Sequence, residues 1–331
     1  MTDIAIDEYR KLNTRIWALI GIMLFLAILS FSVLGLSVDF RSVPGQVFAA
    51  ICYGLVTYVF CLVWRNGSLA KALLVIGQLQ VITFLAFLLT YAASDVHSPY
   101  RDAELNSIDR WFGFDRVAFL EFLRPYSNIL AILKGVYHSM GVQCLLLPLI
   151  LILSGNLIRL QKYVLAFGLS LIATSFVASL VPAVSAKVFI DLQPHAAAYF
   201  PIIEALRDGS LRHISPATFE GLITFPSFHT TCAILFMWAG WELQLGRYVF
   251  VPINLLMIIA TPIHGGHYLI DVVGGTVVAF GTIAIVNRLS VSSFEPRKRW
   301  GVVYGLRALR KRRWSTEAET ASAALGSESG V

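Results

Sequence analysis

Charge is scarce in this sequence. Asp, Glu, Lys and Arg make up 14% of its 331 residues, while 57% are hydrophobic. A soluble domain carries about a quarter charged residues. The shortfall leaves too little polar surface to coat a water-soluble body of this size. Cysteine is scarce as well. The four present, Cys52, Cys61, Cys144 and Cys232, lie inside apolar stretches with no C-x-x-C spacing. They read as small buried hydrophobes, which argues against a disulfide framework or a zinc site. A cleavable leader is not evident either. The first apolar run is too long for a signal-peptide core and lacks a small-residue cleavage site, so it reads as a span.

What is abundant is long apolar runs, and a span needs about 20 mostly apolar residues. Eight candidates run over 16–38, 46–64, 71–94, 127–153, 163–185, 228–245, 248–264 and 267–289. A backbone in lipid must satisfy its own polar groups, so each is expected to be helical. The expected fold class is an all-α polytopic transmembrane bundle. Its parts would be N-terminal membrane helices (1–95), a catalytic membrane domain (96–290) and a basic, partly disordered tail (291–331). Between the seventh and eighth spans stands TPIHGGHY, where Pro262 and two glycines are expected to break the helix.

Two polar segments interrupt the spans. Residues 95–126 interleave acids and arginines with Trp111, Phe112, Phe114, Phe119 and Phe122, and read as one or two helices lying on the membrane surface. Residues 186–226 form the longest loop, and loops of that length are more often functional than idle. The tail from Arg297 to Arg313 is rich in Lys and Arg and reads as an anchor to anionic lipid rather than a nucleic-acid site. With eight spans both termini share a side, and that side holds about two thirds of the 26 Lys and Arg. The positive-inside rule then makes both termini cytoplasmic. The two polar segments and the HGGH corner fall on the opposite, non-cytoplasmic face.

Two short sequences carry chemistry. TFPSFHT contains Ser227, His229 and Thr230, and HGGHYLIDVVGG contains His264, His267, Tyr268 and Asp271. Both stand at span ends on the same expected face, so they can meet although about forty residues separate them. His267 and Asp271 are four apart at a helix start and share one face. A carboxylate there holds the proton of one imidazole nitrogen and leaves the other as a base or nucleophile. His229 at its own helix start can give a proton to a leaving oxygen. Ser227, Thr230 and nearby N–H groups can hold phosphate oxygens. An aspartate in a membrane helix is costly, which favours a functional reading.

This pairing resembles the type 2 phosphatidic acid phosphatase superfamily, and more narrowly the branch that includes inositol-phosphorylceramide synthases. PSFH stands where that family has its second motif and HYLID where it has its third. SIDRWFGFD and GVYHSMGVQ are also similar to that branch. The resemblance implies that His267 attacks phosphorus and carries a phosphohistidine, that Asp271 orients it, and that His229 serves as acid and then base. It implies neither metal nor cofactor, and a phospholipid or polyprenyl phosphate as substrate. It implies hydrolysis of a lipid phosphate or diphosphate, with head-group transfer to a second lipid alcohol as the alternative. The setting would be a bacterial inner membrane with the site facing away from the cytoplasm.

The sequence departs from that family in its cations. The first motif, KxxxxxxRP, is missing at the end of the fifth span, where Lys187 has no RP after it. The SR before the third motif is replaced by Ala260 and Thr261. Phosphoryl transfer relies on electrostatic clamping, so other cations must serve. Arg207 and Arg212 are the first candidates, then Lys187 and Lys134. Tyr268 and His264 complete the expected substrate contacts, although His264 can equally shape the glycine corner. The charged residues of 105–124 are expected to pair with one another and with lipid head groups, with Asp109 and Arg116 next in line for a site role. Two bland readings stand beside these. A metal site of His229, His264, His267 and Asp271 leaves PSFH unexplained, and a transporter or inactive scaffold would fit eight spans and Lys134 within one of them.

Overall fold

The computed structural model describes residues 3–63, 67–192 and 197–290. The basic tail and the side chain of Cys61 lie outside what is described. Helices stand at all eight expected places: α1 (Asp3–Leu34), α2 (Pro44–Val63), α3 (Ser68–Ser94), then, past two short helices, α6 (Ser127–Leu153), α7 (Leu157–Leu180), α10 (Phe228–Gly240), α11 (Gly246–His264) and α12 (Leu269–Leu289). Six are long and apolar enough to cross a membrane, and α2 and α10 are the shorter apolar ones. At 13 residues α10 rises only about 20 Å. The chain is an all-α integral membrane bundle.

α7 is the hub. It packs on α1, α3, α10, α12 and α6, and its buried positions cover most of its circumference. Polar side chains hold the helices together where lipid would leave them unpaired. Asn254 donates to Gln143 at 2.8 Å, Gln78 donates to Asn13 at 2.9 Å, and Ser170 meets Thr282 at 3.2 Å. Arg159 of α7 supports the last turn of α10. It bonds the carbonyl of Trp238, pairs with Glu242 at 3.0 Å and lies 4.2 Å over the Trp238 ring. A helix this short ends with open carbonyls, and the guanidinium supplies their donor.

The polar segment 95–126 forms two helices, α4 (Asp102–Trp111) and α5 (Arg116–Leu123). Arg101 pairs with Glu104 at 2.8 Å, and Arg110 pairs with Asp115, as local pairing requires. The inner face of α4 is less ordinary. Its buried residues are Asp102, Leu105 and Asp109, while Trp111 is 81% exposed. Carboxylates point into the protein and aromatics point out.

The loop between α7 and α10 holds α8 (Ala186–Phe189), α9 (Phe200–Arg207) and a two-residue strand, His213–Ile214, parallel to Ser37–Val38. That strand pair is absent from the sequence reading, because two residues carry no periodicity. Pro262 does not break the helix as expected. α11 runs through it to His264, and the turn follows at Gly265 and Gly266. A proline inside a membrane helix is tolerated where other donors serve the freed carbonyls.

Candidate active site

The first turns of α10 and α12 touch through their backbones. Ser227 N–H donates to the Asp271 carbonyl at 3.0 Å. The Thr231 hydroxyl is shared between the carbonyls of Ser227 (3.1 Å) and Gly275 (2.9 Å). A Cβ on Gly275 would run into the Ser227 carbonyl, so the glycine of DVVGG is what lets the two helices approach. Ser227 caps α10, its Oγ accepting from Thr230 N–H at 3.3 Å.

This contact sets His267 and Asp271 beside His229. Nδ1 of His267 lies 3.0 Å from Oδ2 of Asp271, and the same oxygen accepts Tyr268 N–H at 3.0 Å. The carboxylate acts as acceptor, so Nδ1 carries the proton and Nε2 keeps its lone pair. His267 is 5% exposed and Asp271 is fully buried. The imidazoles of His229 and His267 stand 6.4 Å apart, centroid to centroid, at 59°. A phosphorus approached at about 3 Å by one nitrogen, with its leaving oxygen in hydrogen-bond reach of the other, needs a gap of this size.

Tyr137 of α6 fixes His229. Its ring stacks on the imidazole at 4.0 Å and 10°, with its hydroxyl 3.3 Å from Nδ1. Near-parallel rings place that hydroxyl over the imidazole face, so the contact positions the ring more than it bonds it. Tyr137 Oη also fills the space beside Gly265, where a Cβ would lie 2.6 Å from it and 2.6 Å from His267 Cδ2. Gly266 turns with φ +72° against Lys187, a conformation glycine adopts freely.

Around this centre α4 and α5 act as braces. Asp109 accepts the N–H groups of Leu269 (2.7 Å) and Ile270 (2.9 Å) and so caps α12. Burial raises its carboxyl above the usual range, and those two N–H groups and Arg116 oppose the rise. Asp102 accepts from Val184 N, Ser185 N and the Tyr268 hydroxyl at 2.9, 3.1 and 2.8 Å. Arg116 is bidentate to Asp191 and also bonds the Pro262 carbonyl. Asp109 and Arg116 are expected from the sequence to pair with the other charges of 105–124 and with lipid, and stand next in line for a site role, whereas Asp102 and Asp191 lie outside that expectation. The available signal was the i, i+3, i+7 stripe of Asp102, Leu105 and Asp109, which puts two acids and a leucine on one helix face.

The family model of the PAP2 superfamily matches residues 103–285, more than half of the chain. The chain belongs to the PAP2 superfamily. It is thus a lipid enzyme of phosphatase or phosphotransferase type. No curated protein and no solved structure matches it.

The match runs from within α4 to within α12 and takes in the whole histidine site with the braces Asp109 and Arg116, while Asp102 stands one residue before it. Within that span the structure brings His229, His267, Asp271, Ser227 and Thr230 together. Thr230 is fully buried and its Oγ1 has no hydrogen-bond partner among the described residues. Lys187 donates to the His264 carbonyl at 3.4 Å. Burial holds its ammonium below the usual lysine range, with Arg116 and Lys134 adding to the depression and Asp191 opposing it. The remaining candidates have other partners. Arg212 holds the buried carboxylate of Asp95 at 2.6 Å. Arg207 donates to the Ser98 carbonyl at 2.6 Å and lies 4.1 Å over the Tyr100 ring. Tyr268 turns its hydroxyl to Asp102, and burial together with that carboxylate keeps the phenol protonated. Arg212 and Tyr268 are thus held by carboxylates, whereas Arg207 keeps a buried Nη1 without a partner among the described residues.

Proposed function

We propose that this PAP2 superfamily member hydrolyses a lipid phosphate or diphosphate through a phosphohistidine. The observation that carries the reading is the buried His267–Asp271 pair facing His229 across 6.4 Å at the start of α10. His267 Nε2 forms the N–P bond as the P–O bond to the lipid breaks, and His229 gives its proton to the departing oxygen. Water then loses a proton to His229 and attacks phosphorus. The N–P bond breaks and phosphate leaves. Phosphate oxygens lie against the N–H groups of Phe228 and His229, which have no hydrogen-bond partner among the described residues. The distribution of Lys and Arg along the chain supports a site on the non-cytoplasmic face.

The test is to incubate purified protein with a radiolabelled lipid phosphate and quench in base. An acid-labile phosphoenzyme, lost in His267→Ala, supports the reading. Free phosphate as product marks hydrolysis. A new phosphorylated lipid marks head-group transfer, which shares the first half-reaction. Absence of any phosphoenzyme and of turnover overturns both.

A further inference from the structure

The two helices that meet at the histidine site begin together and end apart. Ser227 N–H bonds the Asp271 carbonyl, so α10 and α12 start at one level. α12 then runs for 21 residues and α10 for 13, a difference of eight. At the rise of an α-helix, α10 stops about 12 Å short of its neighbour. Beyond Gly240 the chain turns to α11, which packs on α10 and α6. A cavity of about 320 Å³ lies along the second half of α10. Its wall is made by Ile234, Met237, Trp238 and Trp241 at the end of α10, by Phe280 and Ile283 of α12, and by Arg159 of α7.

This wall offers little to a polar ligand. Arg159 is its charged group, and all three guanidinium nitrogens have partners. Nη2 bonds the Trp238 carbonyl, Nε meets the Ala239 carbonyl at 3.5 Å, and Nη1 pairs with Glu242 at 3.0 Å. The other side chains are aliphatic, thioether or aromatic. Water does not fill such a space, since an apolar cavity of about 150 Å³ stays dry and takes up apolar ligands instead. The cavity is also continuous with the surface that this integral membrane bundle turns to lipid. Trp241 and Phe280 are more than half exposed, and Val273 and Val277 extend that exposed stripe along α12 at helical spacing. Ile234 and Ile283, in the same wall, are buried. A bilayer has a hydrocarbon core about 30 Å thick, and α10 rises only about 20 Å. Hydrocarbon is therefore what stands beside the end of α10.

We infer that this cavity is a lipid site that holds one acyl chain of a membrane phospholipid against α10 and α12. The chain fills volume that the short helix leaves open, and it packs on the helix whose first turn carries His229. The head group stays outside, because Arg159 is already paired. The site therefore selects for chain length and not for head-group charge. It lies toward the opposite end of α10 from the histidines and does not depend on the reaction proposed for them.

The experiment follows thermal unfolding of the full-length protein in detergent as phospholipid is added, with native mass spectrometry to count bound lipid. Wild type should retain a phospholipid. It should be stabilised equally by dioleoyl phosphatidylcholine and dioleoyl phosphatidylglycerol, and not by dihexanoyl phosphatidylcholine. Ile283→Phe and Met237→Phe put bulk into the cavity from α12 and from α10, so that if one fails to fold the other still decides. Each should raise the phospholipid concentration that gives half the stabilisation about tenfold, the equivalent of two methylenes losing their burial. Ile285→Phe adds the same ring on the exposed face of α12, outside the cavity, and should change nothing. An unchanged midpoint in the cavity variants, or an equal loss in Ile285→Phe, overturns the inference. So does equal stabilisation by the dihexanoyl lipid. Stabilisation by the anionic lipid alone overturns it too, since that places a head group rather than a chain at Arg159.

Discussion

α10 and α12 begin side by side, yet their first turns are wired in opposite ways. At α12 the N–H groups of Leu269 and Ile270 go to Asp109, and that of Tyr268 goes to Asp271. Two carboxylates occupy the positive end of that helix and leave no room or charge for a phosphate. At α10, among the described residues, the only cap is the neutral Ser227 hydroxyl on Thr230, and the N–H groups of Phe228 and His229 remain open. One helix start is closed so that its histidine is rigid. The other is open so that an anion can sit there. Orientation of the nucleophile and binding of its target are divided between two helices joined by a backbone contact.

That comparison can be broken in graded steps. The largest effect belongs to the nucleophile itself. His267→Ala should lower kcat by about 10³-fold or more, measured by turnover at a temperature where thermal unfolding shows the variant still folded. Opening the closed helix comes next. Asp109→Ala leaves two N–H groups unpaired and should cost about 1–3 kcal/mol, seen as a lower denaturation midpoint with a fall in kcat. If the midpoint does not move, Asp109 is not the cap. Forcing the helices apart with Gly275→Ala should cost about 1–3 kcal/mol, as overpacking does, and the loss of kcat should exceed any change in KM. The smallest effect is on the open helix. Ser227→Ala should cost about 1 kcal/mol, whereas Ser227→Asp should raise KM for any phosphate substrate. A lower KM in that variant would falsify anion binding at the start of α10.

Much of this architecture was readable without coordinates. Helices stand where the apolar runs were, because a backbone in lipid has few other ways to satisfy itself. PSFH and HxxxD were readable because an i, i+4 relation is local. The partners of the charged residues were not. Arg207 and Arg212 are suitable phosphate ligands by type and position, and no local pattern showed that Arg212 would meet Asp95 or that Arg207 would meet the Ser98 carbonyl. Asp109 looked like a surface acid and is a helix cap. Pro262 carries the ordinary signal of a helix end, but α11 continues through it and Arg116 reaches its carbonyl. In each case the outcome depended on which group from a distant segment arrived within about 3 Å, and hydrogen bonds reward nothing farther.

The sequence by itself determined that the chain is a helical membrane bundle and that two histidines and an aspartate stand at helix starts. Both follow from interactions spanning a few residues, namely apolar run length and helical spacing. Only the tertiary structure decided which helix start is closed and which is open. That depends on α4 meeting the start of α12 across more than a hundred residues of chain, and no local pattern encodes which donor will find which acceptor.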